Sequence, residues 1–188
     1  MKSLKDLIAL AKAQPGKINY GPGGINGINH LAAELLKHMG GFDITLVPYK
    51  GVQQALPAVI ANEVQLMFGS LPGSIDQIRA GRIRALAVTS AKRTNAAPDI
   101  PTVAESGVSG YEASSWWGFL APAGTPREIV NRLNAVTLKV LGTRDMQELL
   151  LRQGMDPAGS TPAEFDAYLR AEIVKWTKVV KDAGIKAN

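Results

Sequence analysis

The residues best suited to chemistry form a glycine-rich turn, called here the glycine loop, at Gly21–Gly27. The loop holds four glycines and lies between a predicted strand at 17–20 and a predicted helix that begins at Ile28. Glycines let backbone approach a ligand closely, and the first N–H groups of a helix have no intrahelical acceptors. With the helix dipole, those groups favour a carboxylate or a phosphate. The loop therefore predicts an anion site, and a tight turn that binds nothing is the alternative.

The candidate ligand contacts in this region are mainly backbone amides. They are Gly23, Gly24, Asn26, Gly27 and Ile28, with Asn29 beside them. The glycine spacing matches neither the dinucleotide fingerprint nor the P-loop, because no Gly-Lys-Ser/Thr follows. The loop thus indicates an anion-binding site, but its spacing does not indicate that the anion is a nucleotide.

Two further strand-to-helix junctions follow in the chain. One contains Tyr49 and Lys50 within 47–51, and the other contains Gly69 and Ser70 within 68–74. Because parallel sheets place the carboxyl ends of successive strands along one edge, we expect the three junctions to converge on one cleft. The alternatives are a Tyr49 that packs on the surface and a Lys50 that is simply solvated.

The chain offers no convincing catalytic residue, metal set or cofactor motif. His30, Glu34 and His38 recur on one helical face, but zinc usually requires more ligands than one exposed face provides. We therefore interpret these three residues as a solvated polar face. The sequence has no cysteine, no Gly-x-Ser-x-Gly elbow and no Ser-x-x-Lys pair.

Strand and helix patterns alternate through the first half of the chain, which is typical of βαβ units and a mostly parallel, doubly wound α/β sheet. Further strands are predicted at 43–48, 64–68 and 84–89, and a short helix is predicted at 74–80 after a loop at 69–73. We expect residues 1–113 to form an α/β ligand-binding lobe.

The pattern changes in the second half of the chain. Residues 114–188 are expected to form an extended crossover segment followed by helices, with start signals at Thr125 and Thr161. The apolar stripes of these helices require a partner surface. If the chain supplies none, they expose a large apolar patch, and we expect the isolated chain to self-associate.

Composition excludes several other classes. The chain has 188 residues, 46% of them hydrophobic and 20% charged, which is globular composition. Its net charge is +5, but no aromatic residues lie among the basic residues of the densest basic stretch, and no recognition motif is present. Nucleic acid is therefore not an expected partner. No apolar run reaches the ~18 residues that a bilayer span needs, and the first residues do not match a signal peptide.

Several short motifs appear in the order that a known family shows. They are His30–Leu35, Val47–Gly51, Ala85–Arg93, Pro101–Glu105, Trp116–Gly118, Pro122–Pro126 and Trp176. In this ordered set, which covers nearly the whole chain, the sequence resembles the substrate-binding receptors of tripartite tricarboxylate transporters, the Bug or TctC-like proteins.

The resemblance implies a type II periplasmic-binding-protein fold, with one complete parallel-sheet lobe and C-terminal helices that belong to a partial second lobe. It implies an extracytoplasmic, periplasmic receptor that binds a small organic carboxylate and delivers it to a membrane permease without entering the membrane itself. The ligand loop of the family's second lobe matches Gly21–Asn29. No cofactor is implied.

The chain departs from the family pattern at two places. The secretory signal and the opening segment with a Pro-Phe-x-x-Gly-Gly-like loop are not matched, so we expect the chain to begin just before the second lobe. Family loops often carry Ser or Thr where Pro22 and Gly27 stand, and glycine where Asn26 stands. Backbone amides and the Asn26 side chain are therefore expected to contribute more to binding.

Two other hypotheses remain open on sequence grounds. A small α/β enzyme could use the same cleft, but it would need a nucleophile, base or metal set. A stand-alone interaction module would instead use the apolar stripes of the C-terminal helices.

Overall fold

The computed structural model describes residues 1–185, which form three strands and seven helices. The strands are β1 (Asn19–Pro22), β2 (Thr45–Leu46) and β3 (Leu66–Phe68). The helices are α1 (Leu4–Ala13), α2 (Ile28–Gly40), α3 (Val52–Ile60), α4 (Leu71–Arg79), α5 (Arg127–Leu141), α6 (Arg144–Arg152) and α7 (Pro162–Asp182). None of the helices in this part of the chain is both long and apolar enough to cross a bilayer.

The sheet is parallel and has the order β2–β1–β3, so β1 is the central strand. Tyr20 on β1 pairs with Leu46 on one side and Leu66 on the other, and it is fully buried. The main core includes Leu4, Leu7, Ala11, Ile18, Tyr20, Ala33, Leu36, Ile44, Phe68, Val103 and Tyr111. The α/β class predicted from the alternating pattern is confirmed for this sheet.

Two predicted elements differ from the structure. The strand predicted at 84–89 is wrong, since Val88 forms only an isolated bridge with Thr102. A strand needs a neighbour along its length, and the backbone of Val88 bonds only to the short stretch Pro101–Val103. The loop predicted at 69–73 is also shorter than expected, because α4 already begins at Leu71, with Pro72 in its first turn, where a proline is favoured.

Helix α7 is joined to the first part of the chain by packing and to the crossover segment through a buried carboxylate. Thr161 and Glu164 form the predicted capping box, and α7 packs against α2. Glu172 accepts hydrogen bonds from the indole N–H groups of Trp176, at 2.9 Å, and Trp116, at 3.4 Å, and it also pairs with Lys175. Burial raises the pKa of Glu172, but these bonds outweigh burial and lower the pKa overall. The division at residue 113 stays a prediction.

The crossover segment and α5 expose a broad apolar surface, here called the apolar face. Trp117, Phe119 and Leu120 are 71%, 87% and 77% exposed, and Leu133 and Val136 on α5 are more than half exposed. Within residues 1–185, α5 and α6 bury none of their own residues fully. Exposed apolar surface of this extent marks an interaction site or an association liability.

We expect the chain, expressed by itself, to self-associate through the apolar face. Its mass in sedimentation equilibrium should rise with concentration, and the double variant Leu133→Lys, Val136→Glu should shift it towards the monomer, because burying these charges on association is costly. Lys139→Gln, on the same helix, is the control. A wild-type chain that is monomeric at high concentration and melts cooperatively would contradict this expectation.

Candidate functional site

Three strand-to-helix junctions meet at the carboxyl edge of the sheet. Gly23–Gly27 of the glycine loop connect β1 to α2, since Gly21 and Pro22, predicted to lie in the turn, are the last two residues of β1. Residues 47–51 connect β2 to α3, and Gly69–Ser70 connect β3 to α4. Val52, the first residue of α3, lies between the other two junctions. A Cβ added to Gly23 would come within 2.6 Å of Val52 Cγ2, and one added to Gly73 within 2.9 Å of Val52 Cγ1. The helix N-termini are therefore close neighbours.

Tight packing explains two of the loop glycines. A Cβ on Gly21 would lie 2.8 Å from the ring of Tyr49, and a Cβ on Gly23 would lie 2.6 Å from the side-chain amide of Asn29. Both distances are shorter than any normal contact, so these positions require glycine for lack of space. The ring of Tyr49 thus packs on the backbone of β1.

Two amides of the glycine loop are already engaged by the protein. The N–H of Gly23 donates to the carbonyl of Phe68 at 2.8 Å, which extends the pairing of β1 with β3 by one bond. The N–H of Asn26 donates to Nδ1 of His30 at 3.3 Å. These two N–H groups therefore shape the loop and are not free to bind an anion.

The remaining candidate amides are free within the described residues. Among residues 1–185, no acceptor lies within hydrogen-bonding reach of the N–H groups of Gly24, Gly27, Ile28 and Asn29. Gly27 is exposed, whereas Ile28 and Asn29 are half-buried. The first turn of α2 contains no acidic residue, so nothing in that turn neutralises the positive end of the helix dipole. This end of α2 can accept a carboxylate or phosphate.

The other candidates differ in what they can offer. Ser70 precedes α4, is half-buried, and its hydroxyl makes no side-chain cap bond to that helix. Gly69 is exposed next to the side chain of Met67. Lys50 is exposed, and its backbone N–H donates to Gln54 Oε1 at 3.2 Å. Ser70 is thus a candidate hydroxyl donor, while Lys50 can add only a solvated charge.

A large, mainly apolar trough adjoins this edge. Its volume is about 1840 Å³, and its lining includes Ile28, Asn29, Gly69 and Ser70 together with residues 114–122 and part of α5. Pockets for small ligands usually occupy roughly 300–1,000 Å³, so the trough is larger than a small carboxylate needs. We therefore place the candidate site at the part of the trough that the helix N-termini line.

The solvated face predicted for α2 is wrong at His30. His30 is only 7% exposed, because α2 turns this residue towards the glycine loop rather than towards water. Burial lowers the pKa of His30, Glu34 opposes that effect, and Lys37 adds to it. Glu34 is also half-buried, where its Oε1 accepts the Tyr20 hydroxyl at 2.8 Å, whereas His38 is exposed. The spacing of four residues between Asn26 and His30 is the sequence feature that could have indicated the contact between His30 and the loop.

The packing around the loop gives a matched pair of variants. Gly23→Ala should lower the free energy of unfolding by about 1–3 kcal/mol, since its Cβ overlaps Val52 and Asn29. Gly27→Ala should lower it by less than about 1 kcal/mol, since the nearest atom to its Cβ is 3.9 Å away and only the N-cap preference for glycine over alanine is lost. Urea unfolding of both variants measures the difference. Equal losses in the two variants would contradict this packing.

Comparison with known proteins places the chain in a family. The profile of the tripartite tricarboxylate transporter family receptor, TctC, matches residues 1–185. A protein encoded in the tcbD-tcbE intergenic region of Pseudomonas sp. (strain P51) is 34% identical over all 188 residues. BugT of Bordetella pertussis is 33% identical over 186 residues, or 99% of the chain.

A solved structure shows the same fold. Rpa4515 of R. palustris, determined with adipate, is 41% identical and superposes with a TM-score of 0.86 over 98% of the chain. The chain spans 56% and 57% of the two curated relatives and 62% of the solved one. Because the profile covers every described residue, the chain belongs to the TctC family of tripartite tricarboxylate transporter receptors.

Proposed function

We propose that the chain is the ligand-binding part of a periplasmic receptor that captures a small organic carboxylate and delivers it to a membrane permease. Membership of the TctC family supports this proposal. The relatives are longer than the chain, so the permease and the periplasmic location are proposed for the whole receptor and not for this part alone.

The observation that carries the proposal is the set of adjacent N–H groups at Gly27, Ile28 and Asn29. A carboxylate has two oxygens and can accept from two such groups, and hydrogen bonds to a charged acceptor are about twice as strong as neutral ones. The solved relative with adipate supports a dicarboxylate as the class of ligand. One carboxylate would occupy the α2 N-terminus, and Ser70 would contribute a hydroxyl nearby.

We infer binding without chemical turnover. The family is one of receptors, and the candidate contacts are backbone amides, side-chain amides and a hydroxyl. These groups bind an anion by donating protons in hydrogen bonds and do not supply a general base. Proton NMR spectra of adipate should therefore remain unchanged after long incubation with the protein.

Substitution of Ile28 by proline removes one of these donors selectively. Proline is favoured at the first position of a helix, and Gly27 before it has φ −90° and ψ 178°, which a residue before proline readily adopts. Ile28→Pro should weaken adipate binding about 10- to 100-fold, the effect of losing a hydrogen bond to a charged group. Isothermal titration calorimetry measures the change.

Ile28→Ala is the matched control, because it shortens the side chain and keeps the N–H. It should bind adipate within about threefold of wild type, since loss of one half-buried side chain outside a hydrogen bond has a small effect. Hexanoate, with one carboxylate on the same number of carbons, tests the need for the second charge. Equal affinity of Ile28→Pro and wild type, or no dicarboxylate binding by a folded full-length receptor, would refute the proposal.

A further inference from the structure

Asn26 adopts an unusual backbone conformation at the centre of the glycine loop. Its φ is +58°, and Asn62 is the only other non-glycine residue with positive φ in residues 1–185. The left-handed region is unfavourable for residues with a Cβ, although asparagine tolerates it better than most. Something around Asn26 must therefore favour this conformation.

The compensating contact comes from His30. Its Nδ1 accepts the N–H of Asn26 at 3.3 Å, and His30 is buried in the first turn of α2. Nδ1 can accept only if it carries no proton, so the neutral ring must be protonated at Nε2. Nε2 in turn faces Glu34 Oε1 at 3.9 Å.

Few charged groups act on His30. On α2 itself, Glu34 attracts the protonated ring and Lys37 repels it. The hydroxyl of Tyr20 on β1 donates to Glu34, and Asp43, just before β2, pairs with Lys37 at 3.4 Å. Helix α7 packs on α2, but its Asp182 faces His38 instead of His30.

We propose that His30 is a positioning residue of the anion site, whose Nδ1 holds Asn26 in its left-handed conformation and so leaves the N–H groups of Gly27, Ile28 and Asn29 open to a carboxylate. This inference rests on the proposed function and adds to it a pH-dependent element. Protonation of His30 places a proton on Nδ1, turns the acceptor into a donor and breaks the bond to Asn26. Burial lowers the pKa of His30, so the contact is complete above the ordinary pKa of histidine and is lost as the pH falls through the lower pKa that His30 has in the fold.

Nuclear magnetic resonance of the wild-type chain tests the contact without any ligand. At neutral pH, the nitrogen-15 shifts of His30 should show a neutral ring with the proton on Nε2, and the Asn26 amide should exchange with water more slowly than the Gly27 amide. His30→Leu should abolish that difference, while His38→Leu, on the exposed face of α2, should leave it unchanged. A proton on Nδ1 at neutral pH, or an Asn26 amide that His30→Leu does not affect, would overturn the inference.

Calorimetric titration with adipate tests the positioning role. His30→Leu should bind about five- to tenfold more weakly, the effect of one lost hydrogen bond. His30→Asn, whose Oδ1 can replace Nδ1 as acceptor, should restore affinity to within about twofold. Wild-type affinity should also fall between neutral and mildly acidic pH. The affinity of the His30→Asn protein should not show that fall.

The two proposals fail in different ways. If the wild-type receptor binds no dicarboxylate, the proposed function fails and the positioning role fails with it, although the exchange of the Asn26 amide still reports the shape of the loop. If wild type binds adipate but His30→Leu binds equally well, only the role of His30 is refuted. Binding by His30→Asn that is as weak as that of His30→Leu would also refute it.

Discussion

The parallel pairing of β1 with a strand on each side fixes where the glycine loop begins. Tyr20 is bonded into both ladders and fully buried, and the bond from Gly23 to the Phe68 carbonyl carries the pairing with β3 one residue further. The chain cannot leave the sheet before Gly23 without losing that bond. The start of α2 is therefore placed over the carboxyl edge, where the ends of parallel strands leave room for a ligand.

Helix α2, whose N-terminus lies at the candidate site, also packs against the C-terminal helix α7. The far side of α2 packs against α7, where Trp176 contacts the main core and Glu172 binds two indole N–H groups. A buried carboxylate with several donors fixes geometry better than it stabilises, because its desolvation offsets much of the attraction. The bond from Trp116 therefore fixes the position of α7 relative to the crossover segment, while the packing of α7 on α2 joins it to the first part of the chain.

Sequence periodicity predicted the helices and the convergence of the junctions, because these depend on local patterns and on the geometry of any parallel sheet. It failed where the outcome depends on neighbours distant in the chain. Val88 reads as a strand residue, yet it pairs only with the stretch around Thr102. His30 reads as part of a polar face, yet the fold of the loop buries it. The partner of Val88 could not be inferred from spacing along one element, and the burial of His30 depends on how the loop outside α2 folds over it.

The division of amides within the loop explains why so short a segment can be both rigid and able to bind. A glycine-rich loop loses much conformational entropy when it becomes ordered, and a ligand that had to order it would bind weakly. Here the bonds to Phe68 and His30 order the loop before any ligand arrives. Two amides therefore serve the shape of the loop, and the amides at the start of α2 are left in fixed directions for the proposed anion.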